Sequence, residues 1–261
     1  MATARRLRSR GWVAQGLLAL VVTGAPVAAA CAPPGGIARL AVVRPNDLPA
    51  AGGGRYLVDT GGGFILDRRG SAALLKFDGR REVWLLSTVR GPRGDVFFQN
   101  DVGQPLLRLT RLGGVTVFTR QRPLGAAARF VGPASTALAS YPPPGALPDA
   151  LVVAGSEASQ AARRPVSFRA ADVEPAAVAA IADAAVVTSE AIGDLAVSPG
   201  GPAILARLSQ VELVRGRAAA ASFHSGVISI AVAPQAGLTG RPSSARILQA
   251  LGAGPSASPS P

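Results

Sequence analysis

Val96-Phe97-Phe98-Gln99-Asn100-Asp101-Val102-Gly103-Gln104-Pro105-Leu106-Leu107-Arg108-Leu109-Thr110-Arg111-Leu112 is the stretch whose reading decides the fold. Two apolar runs, 96–99 and 106–109, flank a polar turn. After the turn, Leu107, Leu109 and Leu112 interleave with Arg108, Thr110 and Arg111 at close to period two, the pattern of a strand buried on one face. The same pattern extends outward. Residues 56–58 and 64–66 flank Asp59-Thr60-Gly61-Gly62-Gly63, and 72–77 and 83–86 flank Asp78-Gly79-Arg80-Arg81, where Asp-Gly is a hairpin signal. Downstream, Gly113-Gly114 introduces 115–118. The β-rich portion, 55–131, therefore predicts an antiparallel meander of about six or seven strands, enough for a sheet to hold its own face.

Further along, the grammar changes. Residues 132–149, with Pro133, Pro142, Pro143, Pro144 and Pro148, read as a Pro-rich linker. In 150–251 the composition shifts to Ala and Val. A strand is expected at 166–169, and Asp172 with Pro175 predicts the start of an Ala-rich helix running through Ile181 and Val187 to end at Gly193. A short helix at 202–208, strands at 211–214, 218–223 and 227–232, and a last helix at 245–251 capped by Ser243 complete this smaller α/β segment. The fold class is α+β. The Gly, Ala, Pro and Ser tail, 252–261, is expected to be disordered, and no internal repeat is present.

The start of the chain carries an address. Residues 1–30 hold a basic opening, MATARRLRSR, an apolar stretch 12–22, Gly24 and Pro26, and the small run Val27-Ala28-Ala29-Ala30 before Cys31. That order is a secretory signal peptide. The apolar stretch is short of the roughly 20 residues a transmembrane helix needs. Cys31 has two readings. Ala28 and Ala30 fit an ordinary signal-peptidase site, which leaves Cys31 as the first mature residue. Alternatively, Val27 to Cys31 resembles a bacterial lipoprotein box, with Ala28 where Leu is usual, and Cys31 carries the lipid. Residues 31–54 then serve as a flexible tether. Both readings place the protein outside the cytoplasm, in the periplasm or anchored by lipid at Cys31.

Composition narrows the chemistry. The 261 residues hold 26 Arg but only Lys76 as lysine, against 15 acids, for a net charge of +12. Without residues 1–30 the balance is 23 basic to 15 acidic, a net +8. The arginines are scattered rather than clustered, which argues against a nucleic-acid face. One Cys and one His exclude an intramolecular disulfide and a His/Cys zinc site, and no metal or other cofactor is expected. No G-x-S-x-G elbow accompanies His224, which reads as a turn residue between two strands. Gly61, Gly62 and Gly63 lack the Lys-Ser/Thr of a phosphate-binding loop, and Arg93-Gly94-Asp95 reads as a turn. Asp59 is the candidate catalytic residue. Tyr56-Leu57-Val58-Asp59-Thr60-Gly61 is how retroviral-type aspartic proteases present a carboxylate, and two such loops must meet to share one proton. One copy per chain would require a homodimer. Asp67, Glu82, Asp95 and Asp101 share the expected sheet, but their spacing selects no catalytic pair.

The segments 91–103 and 111–119, with Phe64-Ile65-Leu66-Asp67, Glu82-Val83-Trp84 and Gly240-Arg241-Pro242-Ser243-Ser244-Ala245-Arg246-Ile247, resemble a bacterial family of exported proteins known only as a domain of unknown function. The resemblance spans about 55–251. It implies export and a single module, and brings no activity, ligand or catalytic residue. The chain is accordingly expected to be a non-enzymatic envelope protein that binds another envelope component. Arg-rich strands such as 107–111 would draw anionic partners, and a membrane would be met only through the lipid. The rival expectation is an envelope hydrolase with a carboxylate mechanism using Asp59.

Intact mass of the protein from membrane and soluble envelope fractions tests the address. Both readings of Cys31 put the first residue there. A diacylglyceryl and an acyl addition that Cys31→Ser abolishes marks a lipoprotein, an unmodified soluble chain marks ordinary cleavage, and retention of residues 1–30 contradicts export.

Overall fold

A computed structural model describes residues 53–68, 72–134, 138, 147–171 and 173–253. The expected signal peptide, Cys31, nearly all of the tether and all but the start of the tail lie outside the described residues, as does most of the expected linker. The described residues all fall within one compact unit, Leu40–Pro261.

Eight strands form the first half: β1 (Gly54–Val58), β2 (Gly63–Asp67), β3 (Ala73–Phe77), β4 (Trp84–Arg90), β5 (Val96–Gln99), β6 (Pro105–Leu109), β7 (Val115–Thr119) and β8 (Arg122–Gly132). Each pairs antiparallel with the next, and β8 returns to β1 with Tyr56 opposite Phe130 and Leu57 opposite Arg129, so the sheet closes into a barrel. The expected six or seven strands are thus eight, and the meander has no free edge. Sequence reading misses β8 because Arg-Pro-Leu-Gly-Ala-Ala-Ala-Arg has little β preference and only Ala126 of its residues is buried. Pairing with β7 on one side and β1 on the other holds it extended.

A barrel of eight strands is just wide enough for side chains to fill. Tyr56, Phe64, Leu66, Leu75, Phe98, Leu107 and Leu109 fill this one, and the Tyr56 ring stacks on Phe64 with centroids 5.0 Å apart. The period-two reading of 107–112 holds through Leu109. Leu112 instead sits in the turn after β6, almost wholly exposed.

The second half opens with α1 (Leu147–Ala162), then β9 (Ser167–Ala170), α2 (Val178–Ala196), α3 (Gly201–Leu205), β10 (Gln210–Arg215), β11 (Ala220–His224), β12 (Val227–Val232) and α4 (Ser244–Ala250). The sheet order is β11-β12-β10-β9, with β10 parallel to β9 and β12. Residues 147–149, expected in the linker, open α1, where Pro148 suits the first turn. The α1 helix itself escapes the sequence reading because its buried face is only Ala154 and Ala158. The α2 helix continues past Gly193 because Leu195 still has a core site to fill. Among the described residues, 175–196 is the one helical stretch long and apolar enough to cross a membrane, and 61% of its apolar window is buried inside the fold. Ala180, Ile181, Ala184, Ala185, Val187, Ala191 and Ile192 are all buried, as befits a helix apolar on most sides at the centre of a core.

The barrel closes tightly at β1. A Cβ on Gly54 would lie 2.3 Å from the Phe130 ring and 2.7 Å from the Gly132 carbonyl oxygen. Gly54→Ala is expected to lower stability by about 1–3 kcal/mol as the two strands are pushed apart. An unchanged urea midpoint would contradict this packing of the closing pair.

Candidate functional site

The turns of an up-and-down barrel divide between its two ends. One end carries the turns after β1, β3, β5 and β7, and the β3–β4 connection, 78–83, faces the helices. Three consecutive residues there are anchored. Arg80 donates from Nη1 to Asp194 at 2.9 Å, and Nη2 reaches the other oxygen. Arg81 donates from its backbone N–H to Glu190 at 2.8 Å and from Nη2 to Glu157 at 2.6 Å. Glu82 is 1% exposed. Its Oε1 accepts from the Ser244 N–H at 3.0 Å and faces Arg241 Nη1 at 3.5 Å.

Arg241, 159 residues further along the chain than Glu82, is 6% exposed. Its Nε is ion-paired with Asp183 of α2, and its Nη2 donates to the Val83 carbonyl at 2.8 Å. One guanidinium therefore serves two carboxylates, and Asp183 holds the closer pair. Burial pushes the Glu82 carboxyl up to about 7, against the opposing pull of Arg241 and the Ser244 hydrogen bonds. Glu82 Oε2 is buried without a hydrogen-bond partner, which costs less when the group is neutral. Beside this cluster, Asp101 accepts from the Ser243 N–H at 3.3 Å and from Arg246 Nε at 2.8 Å, and it also bonds the Ser243 hydroxyl. Ser243 caps α4 by accepting from the Arg246 N–H at 3.2 Å.

These anchors hold α4 across the barrel end and leave a cleft of about 350 Å³ beside it. Phe77, Trp84, Leu106 and Phe118 line it from the barrel, and Ala245 and Leu248 from α4. Polar groups at its margin are Gln104, Arg120, Gln121 and Gln249, with Arg80 and Asp194 already paired to each other. Arg120, in the β7–β8 turn, is exposed and makes no ion pair among the described residues. An apolar hollow of this size with a few convergent polar groups is the usual form of a small-molecule site.

The residues singled out in the sequence are dispersed. Asp59 is exposed in the turn after β1, where the Gly61 N–H closes onto the Val58 carbonyl at 2.9 Å. No hydrogen bond joins it to a second carboxylate among the described residues. His224 ends β11, exposed, in a two-residue hairpin with Ser225 and Gly226 at positive φ. Asp95 is buried and paired with Arg108 at 2.5 Å, so Arg93-Gly94-Asp95 is a turn whose carboxylate points inward. Asp67 lies at the same end as Asp95, away from Glu82 and Asp101. Among the described residues no group of three or more His, Cys, Asp or Glu could hold a metal. Arg241, Arg120 and the cleft were not foreseen. The available signal was that Glu82 and Arg241 both lie in segments that carry the family resemblance.

Residues 39–251 match the family described as a domain of unknown function (DUF4908). The chain belongs to that family. No curated protein and no solved structure matches it. The family match covers both halves of the fold, together with the Glu82–Arg241 contact that joins them.

The cluster gives stability a defined pH dependence. Because the folded Glu82 binds its proton more tightly than an unfolded glutamate at 4.5, its contribution to stability is full below 4.5 and is lost as pH rises through about 7, a loss on the order of 3 kcal/mol. Glu157 acts in a separate window: the Arg81 hydrogen bond holds it below the usual range, so its contribution is lost only as pH falls below 4.5. Melting temperature is therefore expected to drop between about pH 4.5 and pH 7 and to level off above that, and Glu82→Gln should remove most of that slope. An equal slope in the variant would contradict the assignment.

Proposed function

We propose that the protein is an exported, non-enzymatic binding protein of the bacterial envelope that holds a small ligand with an apolar body and an anionic end in the cleft beside α4. The export reading rests on the order of residues 1–31. The cleft carries the binding reading: aromatic and aliphatic walls take the apolar body, and Arg120 offers an unpaired guanidinium to the charged end. The amides of Gln104, Gln121 and Gln249 supply further donors. Nothing in the cleft resembles a nucleophile with its base, since Asp194 is held by Arg80 and Ser244 sits at the start of α4. An amphiphile suits a surface of this make-up better than a fully polar metabolite, because burying unpaired polar groups against Phe77 and Trp84 is costly.

Trp84 makes the proposal measurable. It and Trp12 are the only tryptophans, so in a Trp12→Phe background the emission comes from the cleft wall. Decanoate is expected to shift that emission saturably. Arg120→Gln should weaken decanoate roughly fivefold, the loss of one charge-assisted contact, and leave decanol unchanged. Ala245→Phe should block both. Absence of a saturable response in the parent protein, or identical titrations in all three, would overturn the proposal.

A further inference from the structure

The opposite end of the barrel differs in its acids: the cleft end also exposes Leu124, Arg120 and Arg122, but with Asp59, Asp78 and Asp101 exposed in its turns. The turns after β4 and β6 meet at the opposite end: a Cβ on Gly94 would lie 3.7 Å from the Arg111 side chain. The chain also enters the barrel at this end, through Gly53 and Gly54, and leaves it at Gly132. Of the six acids in the described barrel residues, Asp59, Asp78, Glu82 and Asp101 sit in the turns of the cleft end. The two at this end, Asp67 and Asp95, are 9% and 6% exposed, and Asp95 is occupied by Arg108. The exposed charge in the described turns here is arginine: Arg90, Arg93 and Arg111 are exposed and without ion-pair partners among the described residues.

Apolar groups stand among these arginines. Leu112, at the tip of the β6–β7 turn, is 98% exposed, and Phe130 and Val131 are about half exposed on the last part of β8. An exposed leucine at a turn tip flanked by cations gains nothing in water, whereas the headgroup layer of a bilayer accommodates both groups. Arg93 adopts φ 59, a left-handed conformation unusual for an arginine. It places the side chain in the exposed β4–β5 turn, close to the β6–β7 turn that carries Arg111.

We propose that this end of the barrel docks on an anionic bilayer, with Leu112 entering the headgroup layer and Arg93 and Arg111 on its phosphates. The chain enters the barrel at the same end, so a lipid on Cys31 would be compatible with this face meeting the membrane. Docking does not depend on that lipid, because the charges and the apolar tip lie on the folded barrel itself. The cleft end is then turned away from the bilayer and open to the aqueous side.

The test uses the full chain with Cys31→Ser and a polarity-sensitive fluorophore on Leu112→Cys, or on Thr60→Cys at the cleft end. The apolar segment 12–22 is common to both labelled proteins and to their arginine variants, so the loss of the shift in those variants separates docking of this end from insertion of that segment. With vesicles of phosphatidylglycerol and phosphatidylcholine, the label at position 112 is expected to shift to the blue and the label at position 60 is not. The shift should disappear with phosphatidylcholine alone and weaken with salt. Arg93→Asn, which suits the left-handed backbone, combined with Arg111→Ser should lower partitioning by roughly 25-fold, taking about fivefold per charge. Equal shifts at both positions, or a shift indifferent to anionic lipid and to the arginine substitutions, would overturn the proposal. Decanoate titration of Trp84 is a separate readout, so failure of one proposal leaves the other standing.

Discussion

A buried arginine between two carboxylates ties the halves of this chain together. Arg241 lies just before α4, Asp183 on α2 and Glu82 at the foot of β4, so the contact joins the barrel to both the central helix and the last one. Its net worth as an ion pair is small, because desolvating the buried charges offsets most of the attraction. Its consequence is geometric. The guanidinium bonds Asp183, Glu82 and the Val83 carbonyl at once, and so holds the loop and the helix in one arrangement. The surrounding pairs, Arg80 with Asp194 and Arg81 with Glu157 and Glu190, are more exposed and extend the attachment along α2 and onto α1.

Once α4 is fixed across the barrel, a cleft follows with no further device. Phe77 and Trp84 end and begin the two strands whose connection is clamped, so the anchor and the hydrophobic wall belong to the same few residues. The barrel then has two unlike ends. At one, Glu82 and Asp101 hold the last helix and a small apolar hollow remains. At the other, among the described turn residues, the acids are buried, the exposed charge is arginine, and Leu112 projects from a turn. The chemistry of the two ends suggests a protein that faces a surface with one and a small ligand with the other.

Much of this was legible in the amino acids alone, and the reasons for the exceptions are physical. Seven barrel strands announced themselves through alternation and Gly-containing turns, because a strand buried on one face must alternate. The eighth did not, since β8 earns its place by pairing on both sides rather than by burying side chains. Closure is a long-range property, β1 meeting β8 about seventy residues later, and period-two counting has no access to it. Helix α1 was hidden for a similar reason, its contact face being alanine. The Ser243 cap was readable because an N-cap depends on neighbours three residues away. Glu82 was visible as one carboxylate among several, but its partner lies 159 residues away, and a buried pair at that separation leaves no local trace. The motif at Asp59, the most noticeable in the chain, occupies an exposed turn remote from the clamp.

The claim that the two halves form one unit through this clamp is tested most directly by following unfolding with two probes, in a Trp12→Phe background. Trp84 emission reports the barrel and far-ultraviolet dichroism is dominated by the helices. The account predicts coincident urea transitions in the parent protein and separated ones in Arg241→Met. Separate transitions in the parent protein, or coincident ones that Arg241→Met leaves unmoved, would contradict it.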